Sequence, residues 1–474
     1  MRLGVGPTVS DGGTTYTFRI RSGFRFSPPS SELVTAATVR DSIERALSPK
    51  LGSNAPGMRF ADVISGAAAY HAGTTAHVTG LNANGDVLTI RLTRPVGDLL
   101  HRLALPIFSV VPRHTAVIAN GLTKPIPSAG PYYVASYTPG EQLVLRRNPH
   151  YAGPRPHALD EIVYAFGQSA DQAAGLVNGG EADYTTTGQS GAFPIISPAF
   201  APGGRLDRLY GGRGTSKPQR FFLTPTLATG RLWMNTSRGI FRDTRLRRAV
   251  NYALDRPPMA KQLGPFLGQP SDQYLPPAMR GSLNEHIYPL ARPDLARAKA
   301  LARGRGGRAV LWTCNLPICL AKAEIIRRNL APLGIQVVVK SDFPVGGAGA
   351  AASKRGAEFD LTPLTSTPDL ADPGNFLRSL FDGSLIHATG NTNLSYFNDP
   401  VVNARLARAD RLSGRGRERA FGRIAADLAR DQAPIAVFSQ PYQAEFVSTR
   451  LACLIHQPAF GGLDLAALCI RGKP

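Results

Sequence analysis

The chain contains no apolar run of the roughly 18 residues that a membrane-spanning helix needs. Its opening, MRLGVGPTVSDGG, lacks the apolar core of a secretory signal. Acidic residues are few: 33 Asp and Glu against 54 Lys and Arg give a formal charge of +21. Lysine is scarcer still, at nine of those 54. An arginine bias of this kind can come from a GC-rich coding sequence as readily as from a polyanion partner. The basic residues are scattered, with no block of the five or six like charges that marks a nucleic-acid-binding tail. Nucleic acid is therefore not an expected partner. A basic surface resting near anionic lipid headgroups is the better expectation. Cysteine is limited to four residues in two local pairs, Cys314 with Cys319 and Cys453 with Cys469. They can be disulfides of an oxidising compartment or buried thiols, and their spacing does not suit zinc. The chain also lacks a G-x-S-x-G elbow, an H-E-x-x-H pair, a P-loop and a Rossmann glycine fingerprint. The nine histidines are dispersed, and His71 and His77 are too far apart for a metal pair on one helix face. No enzymatic activity, cofactor or metal is expected.

What is present is a globular composition, 43% hydrophobic and 18% charged. At 474 residues, two or three lobes are expected. TTYTFRI (14–20) alternates as a strand, and TAATVRDSIERAL (35–47) follows as a helix. Thr35 is its N-cap, and Val39, Ile43, Ala46 and Leu47 form its apolar stripe. Strands are expected at 86–95, 160–166 and 230–237, with two at 132–148 around the Pro-Gly turn of TPGE. A short helix covers 169–180, and 186–220 reads as surface loop. Segments 308–314, 319–334 and 335–340 read as one βαβ unit, so part of a sheet is parallel. Pro332 should shorten its helix. A strand at 360–365, helices at 399–411 and 414–431, and strands at 434–448 complete the pattern. Strands at both ends around an α/β block suggest a lobe of discontinuous segments with a second lobe inserted.

FRDTRLRRAVNYALDR (241–256) carries five arginines in sixteen positions. On a helix, Leu246, Ala249, Val250, Ala253 and Leu254 form one apolar stripe, with Asp243 as N-cap. Arg247 and Arg248 fall on its flanks. A recognition helix needs its basic side chains on one continuous face. A solvated or ion-paired surface is expected here instead.

Five stretches together resemble the extracellular solute-binding proteins of family 5, the peptide- and nickel-binding components of ABC importers. SDGGTTYTFRIRSGFRF (10–26) resembles the family's Tyr-Thr-Phe strand and Gly-x-x-Phe turn, although SPPS (27–30) replaces its Asp-Gly. VTAATVRDSIERAL (34–47) resembles the helix that follows. SAGPYYVASYTPGEQLVLRRNPHYAGPRPHALDEIVYAF (128–166) holds the Gly-Pro-Tyr, Arg-Asn-Pro-x-Tyr and Leu-Asp-x-Ile motifs in family order. LVNGGEADY (176–184) and WMNTSRGIFRDTRLRRAVNYALDR (233–256) supply the last two. Asn235 and Gly130 match these motifs and are read as structural.

The resemblance implies an α/β type II periplasmic-binding-protein fold, two lobes with a hinge enclosing a ligand. It implies a discontinuous lobe I whose first strand, signal or lipoprotein segment is missing before residue 1. The expected division is 1–127 and 128–235 for the outer and core parts of lobe I, 236–440 for lobe II, and 441–474 returning to lobe I. The implied function is the extracytoplasmic receptor of an ABC importer, a monomer serving the transmembrane permease subunits, membrane-proximal through an anchor absent from this sequence. Peptide binders of the family place an Asp three residues before an acidic-Pro pair. That position is Asp369 in PDLADPGNF (368–376), where it would hold a peptide α-ammonium. It would otherwise cap or brace the helix at 374–381. Ser366 replaces the family's Trp, and Thr365, Ser366 and Thr367 make a small polar pocket edge. The expected ligand-binding residues are Asp369, Ser366 and Thr367, and the expected solute an oligopeptide. The alternatives are a sugar or nickel chelate on the same fold, or a basic surface protein that binds polyanions.

Overall fold

The computed structural model describes residues 6–55, 57–119, 124–186, 198–200, 204–212, 218–261, 268–459 and 461–472. Two compact units emerge. One gathers Met1–Ser169, Arg450–Ile455 and Leu463–Pro474; the other is Ala170–Thr449 with His456–Gly462.

The first unit holds two larger antiparallel sheets and a short two-stranded one. Strands β1 (Thr8–Ser10), β2 (Thr15–Arg19), β3 (Leu81–Asn84) and β4 (Val87–Arg91) lie in the order β1-β2-β4-β3. The Ala36–Leu47 helix packs on this sheet. Thr35 caps it reciprocally with Thr38: each backbone N–H donates to the other's hydroxyl, at 3.1 and 3.2 Å. Ile43, Ala46 and Leu47 are buried as the stripe requires, and Val39 is half-buried. The second sheet is β5 (Tyr132–Thr138), β6 (Gln142–Arg147) and β7 (Glu161–Ala165). Gly140 makes the expected turn at φ 79°, a left-handed conformation that an L side chain rarely adopts. The Cys453–Cys469 disulfide joins two short paired strands of the same unit, Leu451–Ala452 and Cys469–Ile470.

The second unit is built on one mixed sheet. Its strands are β8 (Tyr184–Thr186), β9 (Phe221–Pro225), β10 (Thr229–Met234), β11 (Gly268–Pro270), β12 (Gly307–Cys314), β13 (Ile335–Phe343), β14 (Leu361–Ser366) and β15 (Ile435–Val447). The order is β11-β15-β10-β14-β12-β13, with β8 and β9 also paired to β15. The βαβ unit is present: β12 and β13 are parallel, joined by the Pro317–Leu330 helix. Pro332 acts as expected. The α-helix stops at Leu330, a single 3-10 turn follows, and Gly334 closes it at φ 72°. Cys314 and Cys319 are bridged at the start of this helix.

The sheet divides two cores. Leu232 and Met234 of β10 face one, with Leu311, Leu361, Ala436 and the Leu246–Val250 stripe. Trp233 faces the other, with Phe359, Phe376, Phe381, Ile435 and Val437. Every residue of β10 is buried, as a central strand covered on both faces must be.

Two expectations are corrected. The 186–220 segment is not all loop. Residues 187–197, 201–203 and 213–217 lie outside the described residues, but Arg205–Tyr210 is a helix that buries Leu206 and Tyr210. The arginine-rich helix, Thr244–Ala253, is capped by Asp243 as expected, yet Arg247 is not solvated. It is 3% exposed and donates to the carbonyls of Phe241, Arg242 and Gln432 and to the Thr244 hydroxyl. Its long stem carries the charge off the flank and under the preceding turn.

Candidate functional site

Strand β14 lies between β10 and β12, and its end delivers the segment Ser366–Thr367–Pro368–Asp369. Ser366 is half-buried; Thr367 and Asp369 are exposed. Three residues on, Asp372 is the N-cap of the Pro373–Phe381 helix and accepts from Asn375 N at 2.8 Å. The capping role considered for Asp369 therefore falls to Asp372. Asp372 is also gripped by both Nη atoms of Arg417, at 2.5 and 2.9 Å, and Arg417 reaches Asp410 at 3.1 Å. Arg378 links Asp410 to Asp382. Burial works against the Arg417 charge, but the hydrogen bonds to Asp372 and Asp410 outweigh it and hold its pKa above the usual value. The loop bearing Asp369 is thus fixed at its far end by a buried ionic network.

Its near end meets a residue that sequence reasoning missed. Arg231 on β10 donates through Nη1 to the Ser366 hydroxyl at 2.8 Å. It is fully buried, with its guanidinium 4.7 Å from the Phe376 ring centre and 5.7 Å from that of Trp233. Burial pulls it down to about 9, opposed by the Tyr274 phenol, so it remains charged at neutral pH. Its Nε and Nη2 have no hydrogen-bond partner among the described residues.

Antiparallel register sets what surrounds it. Thr229 stands opposite Ser366, Arg231 opposite Leu364, and Trp233 opposite Thr362, so these side chains share one face of the sheet. On that face Thr229 Oγ1, Thr362 Oγ1 and Trp233 Nε1 are also buried without a partner. Buried polar groups are normally satisfied, and each orphan costs about 1–3 kcal/mol. Five such atoms on four residues of one face form a concentration that packing alone does not account for. A signal was present in the sequence: Arg231 lies within the apolar run of GRLWM, and the facing stretches LTPLTS and IAVFS carry no acid.

The first unit offers a different space, an apolar cavity of about 800 Å³ bordered by Phe18, Ile43, Ile90, Leu103 and Phe108. It has few polar groups with which to orient a solute. Among the described residues no cluster of three or more His, Cys, Asp or Glu side chains could hold a metal ion. No described helix is long and apolar enough to cross a membrane.

The family described as "Bacterial extracellular solute-binding proteins, family 5 Middle" matches residues 3–386. Heme-binding protein A of Haemophilus influenzae is 24% identical over 491 aligned positions, covering 98% of this chain and 83% of that protein. A glutathione-binding protein of Escherichia coli O1:K1 is 22% identical, covering 85% and 76%. Among solved structures, clavulanic acid biosynthesis oligopeptide binding protein 2 has a TM-score of 0.82 at 24% identity, covering 99% of this chain and 86% of that one. A periplasmic binding protein of Helicobacter pylori in complex with the peptide STSA has a TM-score of 0.68 at 21% identity, covering 97% and 88%. The fold is that of the type II periplasmic binding proteins.

Proposed function

Because the chain belongs to the bacterial extracellular solute-binding proteins of family 5, we propose that it is the extracytoplasmic receptor of an ABC importer and that its solutes are oligopeptides. It captures the peptide and presents it to the transmembrane permease subunits, acting as a monomer. Two disulfides suit an oxidising compartment outside the cytoplasm. Relatives and structural neighbours include receptors named for glutathione and for a bound peptide.

The observation that carries the peptide reading is the placement of Asp369, exposed just beyond the end of β14 and three positions before the buried Asp372 that caps the next helix. Asp372 takes the capping and ionic duties of the loop. Asp369 is presented at the surface on a loop fixed at both ends. In this reading its carboxylate meets the α-ammonium of the peptide, a charge-assisted contact stronger than a neutral hydrogen bond. Ser366 and Thr367 line the edge beside it and supply hydroxyls to the peptide backbone.

A thermal-shift screen with di- to pentapeptides, sugars and nickel tests this. A ligand at 100 times its dissociation constant stabilises by about 2.7 kcal/mol. A rise with peptides that Asp369→Ala abolishes is the expected result. A rise with a sugar or nickel and with no peptide would keep the receptor and remove the peptide. The hydroxyl-rich edge of Thr365, Ser366 and Thr367 is the feature that favours such a polar non-peptide solute.

A further inference from the structure

Three fully or nearly fully buried arginines of the second unit invite comparison. Arg247 is saturated by three carbonyls and one hydroxyl. Arg256 donates to the carbonyls of Ser271, Val437, Asn251 and Pro289. Among the described residues Arg231 makes one hydrogen bond, to Ser366, and Nε and Nη2 are left unpartnered. Those two atoms form one edge of the guanidinium plane. The same edge of Arg327 shows what it is suited to: Nε and Nη2 donate to the two carboxylate oxygens of Glu324 at 2.8 and 2.9 Å. Among the described residues no acid plays that part for Arg231; the opposing influence on its charge is a neutral phenol. A buried cation without a counter-charge is destabilising, and a structural arginine would be better replaced by an apolar residue.

We propose that the Nε–Nη2 edge of Arg231 is a subsite for a carboxylate of the solute. The surrounding chemistry agrees. Ser366 accepts from Arg231, so its own O–H can be donated onward. Thr229, Thr362 and the Trp233 indole N–H add unpartnered groups on the same face. Every unpartnered group here can donate a hydrogen bond, so the site selects an acceptor-rich anion and rejects a cation. Phe376 and Trp233 cover the guanidinium and lower the local dielectric, which strengthens its attraction for an anion. Thr365 and Thr367, which flank Ser366, are exposed. The carboxylate can be a peptide C-terminus, an acidic side chain or that of a non-peptide acid. The inference rests on the receptor reading but not on the solute being a peptide.

The test is a thermal-shift and calorimetric comparison of the full chain with four probes at about 10 mM, enough to register millimolar affinity. These are Ala-Ala-Ala, its C-terminal amide, Glu-Ala-Ala amide and glutarate. The expected result is a response to at least one free carboxylate probe that exceeds the response to Ala-Ala-Ala amide. The two acidic peptides separate a terminal carboxylate from a side-chain one. Arg231→Lys should weaken the responding probe about 10- to 100-fold, since a point charge loses the bidentate edge. Arg231→Met should abolish the response while leaving the ligand-free melting midpoint unchanged or raised, which a structural arginine would not do. Should the Met variant not fold, the acid-against-amide comparison on the unaltered chain still decides. A response to glutarate and to no peptide keeps the subsite and removes the peptide reading. Equal responses to acid and amide, retained in Arg231→Lys, keep the peptide reading and overturn the subsite. Silence from all carboxylate probes overturns it as well.

Discussion

Asp372 and Arg417 are joined twice, Nη1 to Oδ2 at 2.5 Å and Nη2 to Oδ1 at 2.9 Å, with both side chains almost fully buried. This pair fixes the loop that carries Asp369. An aspartate of stability and an aspartate proposed for recognition stand three positions apart, and the two should part under mutation. Asp372→Ala removes a helix cap and strands a buried guanidinium. It should cost about 3–5 kcal/mol, measured by urea unfolding. Asp369→Ala, at an exposed position, should cost no more than about 1 kcal/mol.

Lys322 lies on the Pro317–Leu330 helix and is buried. Burial lowers its pKa from the usual 10.5 to about 8. A cation whose folded pKa is depressed opposes folding in full below that pKa. The penalty fades between about 8 and 10.5 and is gone above. Lys322→Met should therefore raise stability at pH 7 by about 2–3 kcal/mol. The gain should vanish by pH 11. Unfolding curves of the two proteins across this range would show it.

The Cys453–Cys469 bridge closes a loop with a sequence separation of 16. Loop-closure entropy gives such a bridge about 3 kcal/mol. Cys453→Ser should lower stability by about 2–4 kcal/mol, read by chemical denaturation. Reducing agent should do the same to the parent and nothing further to the variant at this bridge.

How far the sequence spoke depended on whether the deciding partner was local. The Thr35 cap of the Ala36–Leu47 helix, the Pro-Gly turn and the early end of the helix before Pro332 are set within a few residues, and all were legible. The parallel pair β12–β13 was legible because one helix joins two alternating runs. Arg247 was misjudged because its acceptors include Gln432, far along the chain. The Arg205–Tyr210 helix was missed because Gly and Pro around it read as loop, while its two buried residues take their meaning from β9 and β15. At the candidate site, motif spacing led to Asp369. Arg231 escaped because a charge inside a buried strand looks like an exception until the register shows which neighbours fail to answer it.

As proposed above, Asp369 holds a peptide by its amino terminus. The most direct measurement is titration calorimetry with Ala-Ala-Ala and its N-acetylated form, against the parent and Asp369→Asn. Acetylation removes the ammonium charge and adds an acetyl group, whose bulk the Asp369→Asn comparison controls for. The acetylated peptide should bind the parent at least about tenfold more weakly, the scale of a lost charge-assisted hydrogen bond. Asp369→Asn should bind both forms alike. Equal affinity of the parent for the two peptides would contradict this role of Asp369.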